Sequence, residues 1–285
     1  MLRIKPHVRS AGDGPAVLCI HSSGASSRQW DALAAQLQGS FRVMAADLHG
    51  HGGTPAWAGP RTVRIADEAA LLGSLVHGAP EGVHLVGHSY GGAVALRLAL
   101  ACPDRVRSVA VYEPTLFRVL FDIGAAHRNA LEIARIAVGF RRLARAGELP
   151  AAAACFIDYW GGAGAWAALS PRQQAAIAQR MPAVCDHFRA LLNDDTRAAG
   201  FRRLRCPVLY LTGSASPAPV HAIARRVGSE LTGAEFARLP GLGHMAPVTH
   251  AAVVNSRIEA FLRANAASER KGTSLPAAAV TQAAA

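Results

Sequence analysis

The sequence predicts an α/β protein: a mostly parallel central sheet flanked by helices, interrupted by an all-helical insertion. Three observations carry this. Strand-like and helical segments alternate over residues 16–112, as a parallel sheet requires, because each crossover between strands holds a helix. From about 115 to 200 only helical spacing is found, and strand signals resume at Pro207. Within the first stretch, an apolar strand at 83–86 runs into Gly87-His88-Ser89-Tyr90-Gly91 and then into a small-residue helix, which sets a serine at the apex of a sharp turn.

The elements follow in order. Residues 2–9 alternate apolar and polar, as an edge strand does, and 11–15, with Gly12, Gly14 and Pro15, form a turn. Residues 16–20 are a continuous apolar run, which suits a strand buried on both faces. Trp30, Leu33, Ala34 and Leu37 share one face of a helix over 29–37. A strand at 41–46, a helix at 68–76, the strand at 83–86, a helix at 91–101 and a strand at 106–112 complete the first half. The insertion reads as helices over 124–146, 148–158, 171–180 and 182–193. Strands at 207–211 and 235–239 and a helix at 249–264 follow. The expected organisation is a core domain of 1–114 and 201–265, a helical cap of 115–200, and a disordered, small and polar tail of 266–285.

Composition narrows the function. Apolar residues make up 51% of the 285, ample for a large core. The net charge of +11 invites a nucleic-acid reading, but only Lys5 and Lys271 are lysines and the arginines are dispersed. No basic stripe with interleaved aromatics and no nucleic-acid motif is found, so no nucleic-acid partner is expected. Cys19, Cys102, Cys155, Cys185 and Cys206 are scattered, without metal-ligand spacing or a disulfide framework. A reducing, cytoplasmic setting is expected. No apolar run reaches the roughly 18 residues of a membrane span, and no signal-peptide pattern opens the chain.

The chemistry starts at Ser89. Gly87 and Gly91 allow strand and helix to crowd together, and the helix start beneath the serine favours developing negative charge. An unassisted hydroxyl is a poor nucleophile and needs a base. His244, in the loop Gly241-Leu242-Gly243-His244 after the last strand, is the candidate. His21 and His88 lie beside turn glycines and read as structural, His49 and His51 belong to a loop, and His250 begins a helix. Phe117, Phe121, Phe140, Phe156, Tyr159, Trp160, Trp166 and Phe188 load the insertion with aromatics, either as helix packing or as the lining of an apolar substrate pocket.

Four motifs in order resemble the α/β-hydrolase family: Cys19-Ile20-His21-Ser22-Ser23-Gly24, Asp47-Leu48-His49-Gly50-His51-Gly52-Gly53-Thr54, Gly87–Gly91, and Gly243-His244. The resemblance covers roughly 1–264. It implies the α/β-hydrolase fold with a helical cap, and an oxyanion hole made by the backbone N–H of Tyr90 and that of Ser23 or Ser22. The family's usual acid position, after the strand at 207–211, is held here by Ser216. Some members carry the acid at the end of the strand that follows the nucleophile helix, where this chain has Glu113. The expected triad is therefore Ser89, His244 and Glu113, with Asp194 or Asp195 as the competing acids. The implied activity is hydrolysis of a small apolar ester or related acyl substrate through an acyl-serine, with no metal or organic cofactor. A carbon–carbon hydrolase, a cofactor-free perhydrolase and a non-catalytic small-molecule-binding protein on the same fold are the alternatives.

Overall fold

The computed structural model describes residues 4–122 and 128–272. Its sheet has seven strands: β1 (Val8–Ala11), β2 (Ala16–Ile20), β3 (Arg42–Ala46), β4 (Val83–His88), β5 (Val106–Tyr112), β6 (Val208–Gly213) and β7 (Glu235–Leu239). Their order is β1-β3-β2-β4-β5-β6-β7. Only β1 runs antiparallel to its neighbour. The helices are α1 (Asp31–Leu37), α2 (Ile65–His77), α3 (Tyr90–Ala101), α4 (Arg118–Phe121), α5 (Arg128–Arg145), α6 (Leu149–Gly161), α7 (Pro171–Ala178), α8 (Met181–Leu192), α9 (Ala218–Gly228), α10 (Ala246–Thr249) and α11 (Ala251–Gly272).

Side-chain alternation along a strand sorts β2 onto two cores. Leu18 and Ile20 join the face covered by α2, α3 and α9, while Val17 and Cys19 join the face covered by α1 and α11. Strands buried on both sides carry unbroken apolar runs, as the sequence of β2 does. The first core continues without a break into the helices between β5 and β6, through Phe117, Phe140, Phe156, Trp160 and Phe188. Those helices therefore share the sheet's core rather than building their own.

Several expectations are corrected. The first strand is Val8–Ala11, since residues 4–7 hold no regular structure. Its register is fixed by pairing Val8 with Ala46 and Ala11 with Val43. The helices α4 and α9 escaped the sequence reading. The first is a single turn, and the second opens on Pro217-Ala218-Pro219, which reads as a loop although proline is tolerated in a first helical turn. The final helix runs on through 266–272, where a disordered tail was expected. The remaining tail, 273–285, and the opening of the helix expected from 124 lie outside the described residues. No helix among the described residues is long and apolar enough to cross a membrane.

Candidate active site

β4 ends at His88, Ser89 forms the turn, and α3 begins at Tyr90. The turn tolerates no side chain on its glycines. A Cβ on Gly91 would lie 2.3 Å from the Ile20 carbonyl oxygen, and one on Gly87 would lie 2.5 Å from that of Gly91. Ser89 itself has φ 55°. Among the described residues only Ser89 and Glu113 are non-glycine residues with positive φ. Strained backbone of this kind costs of order 1–3 kcal/mol and gathers where geometry serves a site. Here it falls on two of the three expected triad members.

The structure brings all three together. The Nε2 of His244 lies 2.9 Å from Ser89 Oγ, and its Nδ1 lies 2.7 Å from Glu113 Oε2. The other carboxylate oxygen, Oε1, accepts from the Gly213 N–H at 2.6 Å and from the Ser216 hydroxyl at 2.6 Å. A carboxylate with both oxygens accepting assigns the imidazole proton to Nδ1, which leaves Nε2 free to accept from Ser89. Asp194 and Asp195 are engaged elsewhere, with Thr196 and Arg97 respectively.

Glu113 is fully buried at the end of β5, and its N–H donates to the Leu211 carbonyl of β6. That bond sets its carboxylate beside the start of the loop after β6, where Ser216 lies. His244 is held through its backbone. Its carbonyl accepts from His88 Nε2 at 2.9 Å, and the carbonyl of Gly243 accepts from the Tyr112 hydroxyl at 2.8 Å. Burial holds His88 well below the ordinary histidine range, with the neighbouring His244 as a second cause. His88 thus acts as a neutral donor.

Of the two alternatives for the second oxyanion donor, Ser22 is already engaged. The Ser22 N–H donates to Gln29 Oε1 at 3.0 Å, and the Ser22 hydroxyl bonds the same oxygen at 2.9 Å. The N–H groups of Ser23 and Tyr90 make no such bond among the described residues. Gln29 was not foreseen. Its amide also reaches His88 Nδ1 at 3.2 Å, so one side chain ties the loop after β2 to the histidine that braces His244. Nothing local marks Gln29, because its partners are 7 and 59 residues away.

The other motifs are scaffolding. His21 accepts from the Leu48 N–H at Nε2 and donates from Nδ1 to the Ser22 carbonyl. Burial, then the nearby His51, pushes its pKa down to about 3. Asp47 accepts from the N–H groups of Ser27 and Gly53 and bonds His7. Burial works to raise its pKa, and these bonds outweigh it and hold the carboxyl below its ordinary value. His250 sits between α10 and α11.

The aromatics of the insertion divide by location. Phe140, Phe156 and Phe188 pack on one another at centroid distances of 4.7–6.1 Å. Trp160 instead lies over the His244 ring, 4.1 Å between centroids. Phe121, Tyr159 and Trp166 are only partly buried. All five cysteines are free thiols. Among the described residues no cluster of His, Cys, Asp or Glu has the geometry to hold a metal ion.

Known proteins share this arrangement of fold. The lipase LipV of Mycobacterium tuberculosis is 42% identical over 112 residues, which is 39% of this chain and 42% of that protein. The pimeloyl-[acyl-carrier protein] methyl ester esterase of Methylococcus capsulatus is 32% identical over 133 residues, 47% of this chain and 50% of the relative. The matches thus span half or less of either relative. The crystal structure of the enol-lactonase from Burkholderia xenovorans superimposes with a TM-score of 0.72 at 22% identity, covering 90% of this chain and 96% of that one. At that identity the likeness speaks for the fold. Residues 17–257, from β2 into α11, match the alpha/beta hydrolase family, and the sheet order, the strained serine turn and the histidine loop stand where that match runs: the chain is a member of the alpha/beta hydrolase family.

Proposed function

We propose that the protein is a serine hydrolase that cleaves a small apolar ester or related acyl substrate, in the manner of a carboxylesterase. The observation that carries this reading is the unbroken hydrogen-bonded row from Ser89 through His244 to Glu113. His244 Nε2 takes the Ser89 proton as Oγ attacks the acyl carbonyl. The oxyanion forms beside the N–H of Ser23, in the loop after β2, and that of Tyr90, at the start of α3, where aligned peptide dipoles favour negative charge. His244 then gives its proton to the departing alcohol, leaving acyl-Ser89. Water, deprotonated by the same nitrogen, releases the acid and restores the serine. Glu113 holds the imidazole in the required tautomer and stabilises the imidazolium.

Ser89 is 7% exposed, so its hydroxyl is sheltered from bulk water. The indole of Trp160 against His244 supports an apolar acyl group of modest size. The lipase and esterase names of relatives agree with ester chemistry. Free thiols at all five cysteines fit a reducing cytoplasm.

The test is a panel of p-nitrophenyl esters of graded chain length beside a carbon–carbon diketone and a peracid-forming assay, with fluorophosphonate labelling of Ser89. Ester turnover and labelling, both lost in Ser89→Ala, are expected. Preferred cleavage of the diketone would reassign the reaction to carbon–carbon hydrolysis, and preferred peracid formation to perhydrolysis. An unlabelled, inert Ser89 would point to a binding protein.

A further inference from the structure

His187 lies on α8, in the helical segment between β5 and β6, and is fully buried. Its Nδ1 is 2.9 Å from the Ser23 hydroxyl. Its ring stacks on that of Tyr90, with centroids 3.7 Å apart and planes 6° from parallel. One imidazole therefore touches both Ser23 and Tyr90, whose backbone N–H groups have no acceptor among the described residues. His51 stacks on its other side at 4.7 Å and 18°. Glu68 Oε1, on α2, approaches His187 Nε2 at 3.7 Å, and neither atom has a hydrogen-bond partner among the described residues.

The same helix grips the neighbouring residue. Arg180, which caps α8, donates to the Gly24 carbonyl at 3.0 Å. The Gly24 N–H donates to His51 Nε2 at 3.2 Å. The Ser23-Gly24 segment is thus tied to α8 and its cap at two points, the Ser23 hydroxyl through His187 and the Gly24 carbonyl through Arg180, and its orientation depends on where that helix sits.

We propose that His187 is a positioning residue for the oxyanion hole: it fixes the Ser23 loop and the Tyr90 end of α3 relative to each other, and so couples the helical segment to transition-state stabilisation. This rests on the serine-hydrolase reading above. The physical reason is geometric. An oxyanion donor is effective only within hydrogen-bond reach of the charge that develops, and a loop free to shift by about 1 Å loses much of its effect. Ser23 sits on a loop, whereas Tyr90 is fixed by α3, so the loop is the member that needs holding. Because the donors engage the transition state more than the substrate, the loss should fall on kcat and leave KM nearly unchanged.

The test compares wild type with His187→Phe, His187→Asn, Ser23→Ala and the His187→Phe/Ser23→Ala double variant. His187→Phe keeps a ring against Tyr90 and removes the bond to Ser23. His187→Asn places an amide near the Nδ1 position and keeps that bond. The readouts are kcat and KM on a short p-nitrophenyl ester and the rate of Ser89 phosphonylation by a fluorophosphonate, with thermal melting to confirm the fold. Expected is a roughly tenfold fall in kcat and in phosphonylation for His187→Phe and for Ser23→Ala, with KM within about twofold. His187→Asn is expected to recover most of the rate, and the double variant to be no slower than either single one, because both changes break one contact. If His187→Phe fails to fold, Ser23→Ala carries the same comparison from a half-buried position. Wild-type rates in folded variants, additive losses, or a loss confined to KM would overturn the positioning role while the serine-hydrolase reading stands. A wild-type Ser89 that resists the fluorophosphonate would overturn both.

Discussion

The Ser216 hydroxyl donates to Glu113 Oε1 at 2.6 Å, so the serine in the family's usual acid position bonds the carboxylate that meets His244. Glu113 stands at the end of β5, one strand over in the sheet from the β6 end that leads to Ser216. Its other oxygen still meets His244 Nδ1 at 2.7 Å.

This relationship makes a rescue experiment possible. Glu113→Gln is expected to lower kcat for ester hydrolysis by roughly 10³–10⁴, the scale seen when a triad acid is neutralised. Adding Ser216→Asp in that background should recover at least about tenfold, since position 216 is within one hydrogen bond of the vacated carboxylate. Steady-state kinetics on the wild type and these two variants decides it. Near-normal turnover in Glu113→Gln would remove Glu113 from the mechanism.

Trp160 is buried against His244 and lies parallel to Phe117 at 6.4 Å. Trp160→Ala is expected to destabilise the fold by about 3 kcal/mol through the cavity it leaves. The same cavity should move the best substrate toward longer acyl chains. Chemical denaturation measures the first effect and the graded ester series the second. An unchanged chain-length profile would place Trp160 outside the acyl site.

Glu68 is fully buried, and burial is the main cause that pushes its pKa up to about 8; the charge of Asp67 adds to this and the His49 N–H works against it. Between the ordinary 4.5 and about 8 the folded protein keeps a proton that the unfolded chain has lost. Stability from this group is therefore complete below pH 4.5 and declines as pH rises through 8, at up to about 1.4 kcal/mol per pH unit. The buried His187 works in the opposite sense, because it stays neutral when folded and opposes folding as pH drops below its ordinary range. Glu68→Gln isolates the carboxyl. Its melting temperature should fall less steeply than that of wild type from pH 5 to 8 and exceed it at pH 8. Parallel pH profiles would show that Glu68 is ionised in the fold.

Much of this protein is written locally. β2 falls where the apolar run at 16–20 places it, because a strand buried on both faces leaves an unbroken hydrophobic signature. The serine turn is legible because backbone crowding admits only glycine at 87 and 91. α9 and the true start of β1 are not legible, since a proline-led helix and a short edge strand leave weak periodic signals.

The sequence by itself determined the fold class, the turn that presents Ser89, and the set of residues from which a base and an acid could come. Only the tertiary structure decided how they meet. His244 and Glu113 are 131 residues apart and touch because β5, β6 and β7 lie side by side. Gln29 bridging Ser22 and His88, Ser216 donating to Glu113, and His187 set between Ser23 and Tyr90 are likewise contacts between distant segments. Helix and strand propensities act over a few neighbours along the chain, whereas these bonds depend on the register of the sheet and the seating of α8 against the Ser23 loop and Tyr90.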